Sequence, residues 1–264
     1  MSVVTANVIE RREYKYLIDG ATAARLRAAI RPFCDIDPYA ARSPGGRYTI
    51  ESLYLDSPLM GLYWANEHEQ VDRIKVRVRG YAEAPGSPVF LEVKRRINDV
   101  ITKTRGRVSR AAWAALLADP AAPIPAEVGS KDLAAVERFL ALQRTLHLRP
   151  FTLVRYDREP YFSRVDDYVR VTMDTRIRAQ VMDKWTFTAP AHNWRALDDG
   201  ATQRSPESLT VLELKFTTQV PLWLHNIVER LDLTRRSFSK YGTSIKAFYG
   251  ASDARTYRFA GGWR

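Results

Sequence analysis

The stretch Arg73-Ile74-Lys75-Val76-Arg77-Val78-Arg79 alternates a cation with an apolar residue over seven positions. Successive side chains of a β-strand leave opposite faces, so a strand here carries four cations on one face and Ile74, Val76 and Val78 on the other. The pattern recurs. Three triplets, Glu13-Tyr14-Lys15, Glu92-Val93-Lys94 and Glu213-Leu214-Lys215, each set a carboxylate and an ammonium side by side on one strand face.

Taking one parity per strand collects Arg11, Glu13 and Lys15; Arg73, Lys75, Arg77 and Arg79; Glu92, Lys94 and Arg96; Lys103, Arg105 and Arg107; Arg155; Arg170, Asp174 and Arg176; and Glu213 and Lys215. The opposite parity is apolar or aromatic, as in Tyr14 and Tyr16, Leu91 and Val93, Val154 and Tyr156, Val171 and Met173, and Leu212 and Leu214.

The elements around these runs define one α+β domain over residues 1–264 with a mainly antiparallel sheet. Strands are expected at 10–18, 47–56, 72–81, 88–96, 100–108, 151–162, 168–179 and 209–216. Turns at Pro85-Gly86-Ser87-Pro88 and Asn98-Asp99 join three of them as hairpins. Helices are expected at 21–30, 57–64, after Ser109, at 130–148, at 221–231 and at 237–249, with a loop at 38–46 and a hairpin within the irregular stretch 182–206.

Apolar residues make up 45% of the 264, enough for a full core. The net charge of +11, from 41 basic against 30 acidic residues, favours polyanions. Cys34 is the single cysteine, which excludes an intrachain disulfide and a cysteine-based zinc site. His68, His147, His192 and His225 show no ligand spacing. No apolar run approaches the roughly 20 residues of a membrane span, and the N-terminus lacks a signal-like pattern. A cytoplasmic setting is expected.

A solvated antiparallel sheet would explain any one two-faced strand. If the sheet instead curls and closes, the charged parity lines an interior whose cations repel one another unless water and anions fill it. A phosphate chain suits, since arginine grips phosphate oxygens in forked pairs and lysine as a point charge. Carboxylates in such a place weaken anion binding, a conflict that Mg²⁺ or Mn²⁺ resolves through one or two carboxylates plus substrate phosphates.

The ordered set of motifs resembles the VTC domain, the polyphosphate polymerase module of the CYTH or triphosphate tunnel metalloenzyme superfamily. The set comprises Arg11-Arg12-Glu13-Tyr14-Lys15-Tyr16, Ser52-Leu53-Tyr54-Leu55-Asp56, Lys75-Val76-Arg77-Val78-Arg79, Phe90-Leu91-Glu92-Val93-Lys94-Arg95, Val169-Arg170-Val171-Thr172-Met173-Asp174, Leu212-Glu213-Leu214-Lys215 and Phe238-Ser239-Lys240-Tyr241-Gly242. The resemblance implies an antiparallel eight-stranded β-barrel tunnel with helices packed outside. It further implies Lys15, Arg77, Arg79, Lys94, Lys103, Arg155, Arg170, Lys215 and Lys240 as phosphate ligands. Glu213 is implied as the metal-binding carboxylate, with Glu92 and Glu13 as further candidates. The implied activity is transfer of the ATP γ-phosphoryl group onto polyphosphate with Mn²⁺ or Mg²⁺.

Hydrolytic members of that superfamily begin with a Glu-x-Glu-x-Lys motif, whereas Arg11 stands where the first glutamate would be, which tilts the expectation toward polymerisation. The regulatory domain and membrane segments of the eukaryotic polymerase are expected not to transfer. A metal-dependent triphosphatase and a non-catalytic polyphosphate-binding module stay open. A nucleic-acid partner is not expected, because most of the 13 tyrosines and 6 tryptophans fall on the apolar parity or in helices.

Overall fold

The structure is a computed structural model that describes residues 12–250 except 85, 99, 167 and 218. In chain order its elements are β1 (Arg12–Ile18), α1 (Gly20–Ile30), β2 (Cys34–Ile36), α2 (Pro38–Ala41), β3 (Tyr48–Asp56), α3 (Gly61–Glu67), β4 (Asp72–Tyr81), β5 (Val89–Ile97), β6 (Val100–Val108), α4 (Trp113–Ala118), α5 (Ser130–Thr145), β7 (Arg149–Ser163), β8 (Arg170–Val181), β9 (Arg195–Ala196), α6 (Gly200–Gln203), β10 (Thr210–Phe216), α7 (Leu222–Arg230) and α8 (Lys240–Tyr249). Glu10 and Arg11, expected in the first strand, lie outside the described residues, as do Pro85 and Asp99 of the expected turns.

Eight strands form one antiparallel path, β1-β10-β8-β7-β3-β4-β5-β6, with β2 added to β7 and β9 to β8. The path is strongly curled. Five strands separate β1 from β5, which at about 4.8 Å per strand would hold them more than about 25 Å apart in a flat sheet, yet Lys94 on β5 reaches Glu13 on β1 at 3.6 Å. The right-handed twist of the strands provides the curl, and the apolar parity turned outward stabilises it.

That convex side carries two cores. Val76, Val78, Leu91, Val93 and Leu153 pack with Trp113, Leu116 and Leu117 of α4 and Val136, Phe139 and Leu140 of α5. Tyr16, Val171, Met173, Leu212 and Leu214 pack with Leu26 and Ile30 of α1 and Leu224 and Ile227 of α7. Gly106 lets α5 approach β6, because a Cβ there would lie 2.7 Å from a Val136 methyl and 3.0 Å from its backbone nitrogen.

Helices pack outside the sheet as expected, and the last one also reaches its inner side. α8 sits on the concave side, where Tyr241 and Ile245 join Tyr54, Val154, Tyr156, Ile177, Ala179 and Val211 in a third core at one end of the barrel. Thr152 and Ser244 share a buried hydrogen bond of 3.1 Å, and Tyr241 donates to the Asp56 carboxylate at 2.6 Å. Asp56 also accepts from the backbone N–H groups of Ser57, Leu62 and Tyr63, so one buried carboxylate caps α3 and anchors α8. This explains why α3 begins at Gly61 rather than at Ser57: the cap sits on the strand, and residues 57–60 form the turn that brings the helix to it.

The chain reaches α8 by running along the free edge of β1. Tyr16 bridges to Arg235, and the Arg236 N–H donates to the Lys15 carbonyl at 2.9 Å. The expected loop at 38–46 contains the short α2 and a 3₁₀ turn at Pro44–Gly46. The stretch 182–206 contributes a 3₁₀ turn at Ala191–Asn193, the two-residue β9 and the short α6, not a hairpin of its own.

Gly106→Ala should lower stability by about 2 kcal/mol through overpacking against α5. Urea unfolding should show this as a lower midpoint with an unchanged slope.

Candidate functional site

Register decides which charges share the concave face. On β4, Lys75, Arg77 and Arg79 stand beside Lys94, Glu92 and Phe90 of β5, which stand beside Lys103, Arg105 and Arg107 of β6. On the other wall Glu13 and Lys15 of β1 oppose Lys215 and Glu213 of β10, and Lys215 opposes Arg170 of β8. Lys240 enters from the first turn of α8.

Nine cations and four carboxylates form two interlocked groups; Lys75 and Arg170 stand on the same face beside them, and Arg107 pairs with Asp132 of α5 instead. Glu92 takes Arg77 at 2.7 Å, Lys103 at 2.8 Å, Arg105 at 3.4 Å and Arg79 at 3.7 Å. Glu213 takes Lys215 at 2.6 Å, Arg158 at 3.5 Å and both Lys15 and Lys240 at 3.7 Å. Asp174 accepts both arms of Arg158 at 2.7 Å and Lys240 at 2.6 Å. Glu13 joins the second group through Lys15 at 3.2 Å and reaches across to Lys94.

Burial pushes every one of these carboxyls up, but the cations outweigh it. Arg79, Arg77 and Lys103 hold Glu92 below the ordinary carboxylate range. Lys215, Lys15, Lys240 and Arg158 hold Glu213 far below it. Glu13 is raised by burial and by the Glu213 charge, yet Lys215, Lys15 and Lys94 bring it to about 2. All are ionised at neutral pH.

Lys75 differs from these nine cations. Among the described residues no carboxylate lies within salt-bridge distance of it, and its ammonium donates to Ser239 Oγ at 3.1 Å. Burial, then the charges of Lys15, Lys94, Arg77 and Arg73, push it down to about 7. Lys15 likewise donates to a neutral acceptor of the α8 approach, the Phe238 carbonyl, at 3.2 Å. Two oxygens of the chain thus stand where an anion's oxygens could.

Of the residues singled out from the sequence, Lys15, Arg77, Arg79, Lys94, Lys103, Arg170, Lys215, Lys240, Glu13, Glu92 and Glu213 share this face. Arg170 lies at its rim, with its guanidinium 4.6 Å from the Phe162 ring centre and 5.4 Å from that of Tyr168. Arg155 does not join them. It opposes Glu51 of β3, on the convex parity, and its guanidinium pairs with that buried carboxylate at 2.7 Å, donates to the Phe187 carbonyl at 2.8 Å and lies over Trp194.

Its neighbours Tyr156 and Arg158 face inward instead. Arg176 is displaced too, because β8 spends an extra residue opposite Arg155–Asp157 and Arg176, at φ 51°, forms the bulge. Beyond it Ile177 and Ala179 face inward, and Arg176 pairs with Asp157 on the outside. Sequence reasoning therefore missed Arg158, and it left Asp174, Lys75 and Arg105 outside the site although their parity placed them on the charged face. Pairing the β7 alternation with β3 rather than following its charges would have found Arg158.

Glu213 is also the best placed for a divalent cation. Its neighbour across the ladder is Thr172, whose hydroxyl is buried without a partner, and Asp174 and Glu13 lie in the same charge group. This hard oxygen set suits Mg²⁺ or Mn²⁺. Among the described residues no three acidic, histidine or cysteine side chains converge as a complete metal cage. Glu213 and the unpartnered Thr172 hydroxyl would hold such an ion together with phosphate oxygens and waters.

Known proteins match this chain in family and in fold. The family model described as VTC domain matches residues 10–249. A solved Bacillus halodurans protein, provisionally assigned as an adenylate cyclase, shares 11% identity with a TM-score of 0.50, covering 91% of this chain and 97% of that one. The PH1819 protein of Pyrococcus horikoshii OT3 aligns at 12% identity and a TM-score of 0.45 over 90% of this chain and 99% of its own. The first likeness shows the curled, eight-stranded fold. Among curated proteins none matches.

An anion between Lys75 and its neighbours restores the ammonium, so tripolyphosphate binding should take up a proton between pH 7 and 10.5. Affinity should fall as pH rises through that window. Calorimetry at pH 8 in buffers of different ionisation enthalpy reads the uptake, which Lys75→Met should remove. Arg158→Ala should weaken tripolyphosphate binding at least about tenfold, whereas Arg155→Ala should leave the dissociation constant unchanged and affect only stability; equal losses would reverse the assignment of faces.

Proposed function

Because this chain belongs to the VTC domain family, we propose that it transfers the γ-phosphoryl group of ATP onto the terminal phosphate of a polyphosphate chain lying on the concave face. The observation that carries the reading is the excess of eleven cations, the nine paired ones with Lys75 and Arg170, over four carboxylates on one curled surface. An ATP–polyphosphate pair supplies the missing negative charge.

Phosphoryl transfer asks mainly for in-line positioning and neutralisation of charge spread over the transferred group. Arg77, Arg79 and Arg158 offer forked donors, Lys15, Lys94, Lys103 and Lys240 point charges, and Arg170 a cation at the rim. Glu92, Glu213 and Asp174 prealign these groups in the absence of substrate. When phosphates arrive, the cations exchange a carboxylate for phosphate oxygens with little movement, which keeps the site preorganised. That exchange also frees Glu213, with Thr172, Asp174 and Glu13 nearby, to hold Mg²⁺ or Mn²⁺. A bound ion of this kind neutralises phosphate oxygens and fixes their orientation.

A second reading, a metal-dependent triphosphatase with water as acceptor, is favoured by one observation. α8 fills the concave side at one end with apolar side chains, which leaves a long product fewer ways out than an open tube would.

Phosphorus NMR after incubation with ATP and Mn²⁺ separates the two: internal-chain phosphate signals should appear, and orthophosphate alone would count for hydrolysis. Glu213→Gln should lose turnover by at least about a hundredfold while retaining tripolyphosphate binding, and full turnover in that variant would remove the metal role.

A further inference from the structure

Arg77 is held on two sides by partners of different charge. Glu92 Oε2 takes its Nε at 2.8 Å and its Nη2 at 2.7 Å, while Nη1 donates to the Tyr54 hydroxyl at 3.0 Å. The other two arginines gathered at Glu92 show the same division. Arg79 Nη2 donates to the Tyr156 hydroxyl at 3.4 Å and Arg105 Nη2 to that of Tyr81 at 3.4 Å.

Tyr54 is itself fixed from behind. Its ring, 4% exposed, stacks on that of Tyr241 with centres 5.2 Å apart and planes at 18°, and the Tyr241 hydroxyl is tied to the Asp56 carboxylate. Tyr241 follows Lys240 in α8, so one aromatic pair stands behind a cation of β4 and a cation of the helix.

The two kinds of partner respond differently to an arriving phosphate. A carboxylate offsets the charge of the arginine and competes with the anion for the same forked edge. A phenol is neutral, so it accepts from the guanidinium, keeps its plane from turning and leaves its charge available. Phenylalanine would fill the same space against Tyr241, so packing alone does not call for the hydroxyl. We propose that Tyr54 is a positioning residue that holds Arg77 in place while the Nε–Nη2 edge passes from Glu92 to a phosphate group, with Tyr81 in the same, weaker role for Arg105. This role rests on phosphate binding to the concave face and is the same whichever group accepts the phosphoryl.

The test is a double-mutant cycle read by calorimetric titration of tripolyphosphate into the whole chain. Tyr54→Phe keeps the ring, removes the acceptor and should weaken binding about tenfold. Arg77→Lys weakens binding by itself, but a lysine has a single ammonium and no second arm to leave on Tyr54 once phosphate takes it. Adding Tyr54→Phe to Arg77→Lys should therefore cost less than about twofold more. Equal losses in the two backgrounds, as a purely structural hydroxyl would give, or no loss from Tyr54→Phe alone, overturn the proposal. Should urea unfolding show Tyr54→Phe to be unfolded, the same cycle on half-buried Tyr81 with Arg105→Lys decides by the same criterion. Failure of the unsubstituted chain to bind tripolyphosphate would count against the phosphate reading of the face, and with it against this role.

Discussion

Burying cations beside one another is the constraint on which this structure turns. At the separations seen here unpaired like charges would be repelled strongly in a partly desolvated space, and nine cations of the concave face each have a carboxylate within 4 Å. The carboxylates come from four strands and hold cations from their own and neighbouring strands, from α8 and, for Glu13 and Lys94, from across the curled sheet. Removing any one of them would leave a group of buried cations uncompensated, which is far costlier than losing a surface pair. The ion pairs are thus both the means of closing the sheet and the stand-in for the polyanion.

The curl follows from the same division of labour. Apolar side chains on the convex parity bury against α1, α4, α5 and α7, and this burial offsets the cost of gathering charge on the other side. At one end the charge gives way to the apolar cluster around Tyr241 and Ile245, which lets a helix sit inside a barrel whose remaining interior is ionic. Lys240 is the junction: one turn of helix carries it from that cluster to Asp174 and Glu213.

Period-two alternation made β4, β5, β6 and β10 legible, because nothing interrupts it there and their hairpins or ladders keep the register simple. The charged face followed directly from it, as did the pairing of Glu213 with Lys215. Alternation failed where register, not composition, decides. On β7 both parities carry arginine, so Arg155 looked as suitable as Arg158 until Glu51 fixed the faces. On β8 a one-residue bulge at Arg176 exchanges inside for outside within a single strand, a change that side-chain type does not announce. α8 read as a final helix over 237–249, but that reading does not say which side of the sheet its apolar residues meet. The two-residue β9 and the three-residue β2 are too short to carry any periodic signal.

The pairing of β1 with β10, the first and last strands in chain order, has a further consequence for how the chain acquires its shape. Arg12 pairs with Phe216, and the bridge from Tyr16 to Arg235 comes later still. During vectorial synthesis β1 therefore emerges before β10 and Arg235, which pair with it, and both have to follow before the strand is covered. Closure of so distant a pairing is a slow, high-contact-order step. The strand waiting for it carries charge at Arg12, Glu13 and Lys15, which keeps it from pairing with other chains in the meantime.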